Sequence, residues 1–189
     1  MRLFLAAELP DELLGRVDEI RTSLAAKLEG WRWVRPEGVH LTLRFLGEVA
    51  PESDRKARGT WRRVAADARP FRVRLHGVGR FPARGRPRVL WVGIEETSPG
   101  DALPALAAEL EQAARGLGWE AEMRSFNPHL TLARGRRGTR PDEPHDAVVR
   151  SGSEVQVREL VLHRSQLEAG GARYTALESF PLGRPADEP

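Results

Sequence analysis

The chain has 189 residues, 40% hydrophobic and 30% charged, a globular composition that excludes a disordered or collagen-like chain. It has no cysteine, which removes disulfides, thiolate zinc sites, iron–sulfur clusters and cysteine nucleophiles, and no apolar run approaches the roughly 20 residues of a membrane span. The isoelectric point of about 10.1 sits beside a formal charge of only +3, because Lys27, Lys56 and one Tyr are nearly all that titrates between about pH 8 and 12; the total charge is therefore no argument for nucleic-acid binding, and local clusters are the better guide.

In chain order, residues 2–8 form an apolar run closed by Pro10, which predicts a buried first strand. The run ends at Glu8, too short for the core of an export signal, so the cytoplasm is the expected location. Asp11 is placed to cap a helix, and Leu13, Leu14, Val17, Ile20, Leu24 and Leu28 keep a helical period until Gly30. Trp31–Val34 is a short extended piece, and Val39–Phe45 a strand with Gly47 just beyond it. Pro51 to about Ala68 reads as a polar helix with Trp61 and Val64 turned inward. Phe71, Val73 and Leu75 alternate with Arg72, Arg74 and His76, the pattern of a half-exposed strand.

Val89–Ile94 is a further buried strand, and Glu95–Asp101 the expected junction between two halves. Ala102–Leu117 is an Ala-rich helix ended by Gly118. Pro128–Arg134 is a strand. The polar stretch Gly135–Gly152 is expected to be a mobile loop. Val155–His163 and Arg173–Leu182 read as two final strands, and residues 184–189 as a frayed tail. The order predicts an α+β fold with helices outside a sheet or pair of sheets.

One feature breaks the background. His-Leu-Thr-Leu occurs twice, at His40–Leu43 and His129–Leu132. Five His and seven Thr in a chain of this length predict roughly 0.2 His-x-Thr triplets by chance. Alternation along a strand puts His40 and Thr42 on one face and Leu41 and Leu43 on the other. The same holds for His129 and Thr131 against Leu130 and Leu132. Each copy pins its strand by leucines and presents an imidazole beside a hydroxyl.

If a pseudo-twofold relates the halves, two imidazoles and two hydroxyls face one cleft. One neutral and one protonated His can serve as base and acid, and two hydroxyls can donate to phosphate oxygens. That set supports phosphoryl transfer at a phosphodiester without a metal. No His-x-x-x-His pair, no Gly-x-Ser-x-Gly elbow and no Gly-x-x-x-x-Gly-Lys loop is present, which sets aside the metal, serine-hydrolase and nucleoside-triphosphatase readings.

At these residues the chain resembles the 2H phosphoesterase superfamily, and within it the bacterial and archaeal RNA 2′,3′-cyclic phosphodiesterases, the LigT or 2′-5′ RNA ligase family. The likeness extends to Arg2–Ala6, Arg32–Val34, Val39–Val49, Pro87–Gly93, Phe126–Arg134 and Gly171–Tyr174. It implies a single domain over 1–189 with two lobes, a pseudo-twofold pair of antiparallel sheets, outer helices and a central cleft. It implies hydrolysis of RNA 2′,3′-cyclic phosphate ends to 2′-phosphomonoesters, with no cofactor and no metal. By the family pattern His40 would donate a proton to the leaving 3′ oxygen and His129 would activate water. Thr42 and Thr131 would hold the phosphate, Arg134 would add positive charge there, and Phe45 would touch the nucleoside.

The expected partner is RNA with a cyclic phosphate end, or a cyclic nucleotide, bound by a monomer without membrane contact. Rivals are 2′-5′ RNA ligation or hydrolysis of another cyclic phosphate in the same site, and a non-catalytic RNA-end binding module. Phe45 and Arg134 each lie five residues after their histidine, so strict alternation puts both on the core side. They reach the cleft only if the strands end, bulge or twist, which Gly47 and Gly135 would permit.

Two arginine clusters, Arg80/Arg84/Arg86/Arg88 and Arg134/Arg136/Arg137/Arg140, are either a solvated surface or a rim for RNA phosphates. His76, His145 and His163 carry no partner pattern, although His163 stands where relatives often have an aromatic. The five tryptophans read as core.

Overall fold

The computed structural model describes residues 1–136, 138–143, 153–168 and 171–183. Strand β1 (Arg2–Ala7) leads to helix α1 (Asp11–Ala25), strand β2 (Trp31–Trp33) and, after a 3-10 turn at Pro36–Gly38, strand β3 (Leu41–Glu48). Helix α2 (Pro51–Asp67), strands β4 (Phe71–Phe81) and β5 (Val89–Glu96), and helix α3 (Ala102–Gly116) follow. Strands β6 (His129–Gly135), β7 (Val155–Val157), β8 (Glu159–Glu168) and β9 (Gly171–Pro181) complete the order.

The strands form two antiparallel sheets, β3-β1-β8-β9 and β2-β6-β5-β4-β7, so the fold is α+β as expected. The repeated tetrapeptide has a structural counterpart. Leaving aside the short β2, β1–α1–β3 and β5–α3–β6 are both strand–helix–strand units, each with a 15-residue helix between two antiparallel neighbours. The motif leucines are the anchor of each unit: Leu41, Leu43, Leu130 and Leu132 are all buried. Each such leucine stabilises the fold by about 1.5–3 kcal/mol relative to an exposed position. They join a core that includes Leu3 and Leu5 of β1, Leu13 and Val17 of α1, Trp61 of α2 and Leu106 and Leu110 of α3.

Several sequence expectations change here. Glu95–Asp101 is not a junction between halves, since β4, β5 and β6 all lie in one sheet. It is the β5–α3 turn, where the Glu96 carboxylate accepts hydrogen bonds from the Ala102 and Leu103 amides at 3.0 and 2.9 Å and caps the helix. Val155–His163 is two strands in different sheets: β7 pairs with β4, and β8 with β1 and β9. The charged pair Arg158–Glu159 interrupts the apolar pattern at the switch. Asp11 does not cap α1. Pro10 holds the cap position, and Asp11 sits in the first turn, where its charge suits the helix dipole. Gly47 lies inside β3 rather than beyond it.

The start of the stretch expected to be mobile is fixed. Asp142 accepts from the Glu29 amide at 2.7 Å, and its carbonyl accepts from the Trp31 indole at 3.0 Å. The rest of that loop, including His145, lies outside the described residues, as do Arg137 and the expected frayed tail.

Candidate active site

The two halves build the same local device. His40 immediately precedes β3, and its Nδ1 lies 2.9 Å from the Gly38 carbonyl. His129 opens β6, and its Nδ1 lies 2.7 Å from the Asn127 carbonyl. A carbonyl oxygen only accepts, so Nδ1 must carry the proton in both rings. The neutral imidazoles therefore each keep the Nε2 lone pair for external chemistry, and protonation at Nε2 turns either into an acid. Thr42 and Thr131 are half-buried, and neither hydroxyl makes a hydrogen bond with a described residue.

Past each threonine the strand bulges at the same place. In the β1–β3 ladder Ala6 pairs with Thr42 and Leu5 with Arg44, which leaves Leu43 as the extra residue. In the β5–β6 ladder Trp91 pairs with Thr131 and Leu90 with Ala133, which leaves Leu132 extra. Two consecutive residues then point inward, Leu43–Arg44 in one strand and Leu132–Ala133 in the other, all buried. The next residue returns to the threonine's face. That residue is Phe45 in the first strand and Arg134 in the second, both exposed. The bulges that turn Phe45 and Arg134 outward sit ahead of Gly47 and Gly135, and a second shift in the β1–β3 ladder leaves Leu46 extra beside Gly47. Arg44 can point inward because it forms an ion pair with Glu111 at 2.6 Å and donates to the Phe45 and Glu120 carbonyls.

His40, Phe45 and Arg134 line one cleft of about 620 Å³, together with Trp33, Arg35 and Tyr174. Thr42, His129 and Thr131 are not on its wall. They are brought near by the approach of β3 to β6, and the positive charge of Arg134 acts on both imidazoles.

A sequence model of the 2′-5′ RNA ligase superfamily matches residues 9–168. An RNA 2′,3′-cyclic phosphodiesterase of Thermus thermophilus is 39% identical over 96% of this chain and 90% of its own length. One from Archaeoglobus fulgidus is 35% identical over 95% and 99%. The chain belongs to the 2′-5′ RNA ligase superfamily. Among solved structures, a protein of Thermus thermophilus superposes with a TM-score of 0.82 at 34% identity, over 97% of this chain and 99% of that one. Escherichia coli LigT complexed with 3′-AMP gives a TM-score of 0.76 at 29% identity, over 96% and 97%.

On this superfamily scaffold the two histidines differ in surroundings. The His40 ring lies 4.6 Å from Phe4, and the edge of Tyr174 meets it at 4.6 Å and 71°. Phe4 in turn stacks on His163 at 5.1 Å and 12°. Burial, then the nearby His163, push the His40 pKa down to about 4, although its bond to Gly38 works in the opposite direction. His129 meets the edge of Phe81 at 5.0 Å and lies 6.1 Å from Trp91. Its pKa is also lowered, mainly by burial, with Arg134 adding to the effect. Trp91 can lie there because residue 79 is glycine: a Cβ at Gly79 would come within 2.2 Å of the indole.

Phe4, Tyr174, Phe81, Trp91 and His163 were not legible as site residues, because cross-strand pairings bring them in. Tryptophan as core holds for Trp31 and Trp61. Trp119 is half-buried, packs on Trp61 and donates to the Leu46 carbonyl. Trp33 lines the cleft, and Trp91 faces His129.

The arginine clusters divide. Arg80 pairs with Glu143 at 3.3 Å, Arg86 donates to the Arg136 and Thr139 carbonyls, and Arg136 donates to the Trp31 carbonyl at 3.1 Å. These groups tie the 82–88 turn, Arg136 and residues 138–143 to the second sheet. Arg84, Arg88 and Arg140 remain exposed. His76 is exposed beside Glu95, outside the cleft.

Proposed function

We propose that this chain hydrolyses RNA 2′,3′-cyclic phosphate ends to 2′-phosphomonoesters with His129 as base and His40 as acid. The observation that carries the reading is the paired device: two imidazoles with Nδ1 committed to backbone carbonyls, Nε2 left open, and one arginine acting on both. The names of the superfamily relatives support the substrate.

In this reaction water attacks phosphorus while His129 Nε2 takes its proton. The bond from phosphorus to the 3′ oxygen breaks, and His40 delivers its Nε2 proton to that oxygen. The Thr42 and Thr131 hydroxyls donate to the non-bridging oxygens, where a single well-placed donor is worth about 10²–10³ in rate. Arg134 offsets the charge that builds on the phosphoryl group, and Phe45 packs against the terminal nucleoside. Side chains supply acid, base and charge stabilisation, so the scheme needs no metal.

The depressed pKa values set a constraint. The free protein holds His40 mostly neutral at neutral pH, so the proton it donates is acquired as the anionic phosphate binds, an opposite charge that raises the pKa of a nearby imidazole. The test is incubation with a cyclic mononucleotide and with a short RNA ending in the cyclic phosphate, both in excess chelator. Formation of a 2′-phosphate is expected. A 3′-phosphate, or turnover that stops with chelation, refutes the scheme. Stoichiometric binding without product would instead support the non-catalytic module.

A further inference from the structure

The cleft is not centred between the two histidines. It includes His40 and Arg134 and leaves out His129. From His40 it extends between two banks, one formed by β2 and the 3-10 turn after it, the other by the end of β8 and the start of β9. Arg32 and Arg35 stand on the first bank and Arg173 on the second. Arg173 has Glu168 at 3.8 Å, and Glu37 also faces the space. Arg32 and Arg35 make no ion pair with any described residue. Trp33 and Leu167 stand among these arginines, and Leu167 is 78% exposed.

We infer that this extension is the path of the RNA strand and holds the nucleotide 5′ of the cyclic phosphate terminus, its phosphate on Arg32 and Arg35 and its base against Trp33 and Leu167. The inference rests on the phosphodiesterase reading above. There the 3′ oxygen leaves toward His40, so the terminal nucleoside lies on the His40 side and water arrives from the His129 side. The chain upstream of that nucleoside must then run outward past His40. Unpaired guanidinium groups suit a phosphate backbone, and a flat indole suits any base, because every base has a π face. Arg84 and Arg88, by contrast, lie on the β4–β5 connection and are absent from the cleft wall.

The experiment compares binding of a 5′-labelled pentanucleotide ending in a 2′-phosphate with binding of a nucleoside 2′-monophosphate, in the unaltered protein and in the R32Q/R35Q variant. The unaltered protein should bind the pentanucleotide more tightly, with a strong salt dependence. The variant should lose most of that advantage, its log–log salt slope should shrink by about 0.7 per arginine removed, and its affinity for the mononucleotide should fall far less than its affinity for the pentanucleotide. Three results would overturn the path: no preference for the longer ligand, a preference that survives in the variant, or equal losses for both ligands. If the preference survives R32Q/R35Q but disappears in R84Q/R88Q, the strand runs along the other rim. Turnover of a cyclic mononucleotide by the unaltered protein tests the phosphodiesterase reading separately, because that substrate has no upstream strand.

Discussion

The first and second His-Leu-Thr-Leu segments share a backbone and differ in company. Both fix Nδ1 on the carbonyl two residues back, both bulge just after the threonine, and both bury their leucines. Beyond that they diverge. The bulge returns an aromatic, Phe45, to the cleft in one strand and a cation, Arg134, in the other. His40 packs against Phe4 and Tyr174 with a second histidine behind, whereas His129 packs against Phe81 and Trp91 with no second histidine among its ring contacts. A repeated scaffold gives two equivalent positions, and their neighbours separate them: His163 helps to lower the pKa of His40 and takes no part in the surroundings of His129. A cyclic phosphodiester needs this asymmetry, since one face receives water and the other loses an alkoxide.

The largest test of the difference is removal of each imidazole. H40A and H129A should each lower kcat by about 10²–10⁴-fold, with the fold intact by circular dichroism. The two should part on a substrate whose leaving 3′ oxygen is replaced by sulfur. A thiolate leaves without a proton, so H40A should recover most of its loss and H129A should not. Recovery in H129A instead would exchange the two roles.

How much of this was open to sequence reading follows from where each signal resides. The tetrapeptides and their leucines are local, and alternation is enough to place His40 with Thr42 and His129 with Thr131. Phe45 and Arg134 conflicted with alternation, and the glycines nearby pointed to irregularity a few residues too late. What relocates them is a register slip at Leu43 and Leu132, which depends on the partner strands β1 and β5. The ring contacts are less legible still. Phe4 meets His163 only because β1 pairs with β8 across some 160 residues of chain, and Tyr174 reaches His40 from the last strand. In the sequence that neighbourhood shows only in the matching stretches Arg2–Ala6 and Gly171–Tyr174 and in the departure at His163, and none of these marks a contact.

Tyr174 gives the next effect in size. Its ring edge meets His40, and its Cε2 lies 3.6 Å from where a Cβ on Gly38 would stand. It therefore packs on both partners of the His40–Gly38 hydrogen bond and acts as a positioning residue. Y174A should lower kcat about tenfold, a loss of about 1.4 kcal/mol in transition-state stabilisation, with little change in KM. Y174F, which keeps the ring, should restore the rate. Equal losses in both variants would mean that the hydroxyl, not the ring, is what matters.

The smallest effect is in the pH dependence, and it reads the asymmetry directly. The kcat/KM profile reports the free protein, where the His40 pKa is about 4 and that of His129 also lies below the ordinary imidazole value. Its bell should therefore lie on the acid side of about 6.5, while the kcat bell, set with the phosphate bound, should lie at higher pH. The charges acting on His40 are those of His163 on β8 and of Arg134 and His129 on β6, and all three lower its pKa. H163F keeps a ring against Phe4 and removes one of these charges, so His40 becomes easier to protonate. The limb of the kcat/KM profile that tracks His40 should rise by a fraction of a pH unit while the His129 limb stays in place. The same linkage appears in stability. A histidine whose folded pKa is depressed stabilises the native state above the unfolded value and loses that contribution as pH falls toward the folded one. Unfolding free energy should therefore decline as pH drops from about 6.5 to about 4, and less steeply in H163F. A limb and a stability slope unchanged by H163F would show that burial between Phe4 and Tyr174 alone separates His40 from His129.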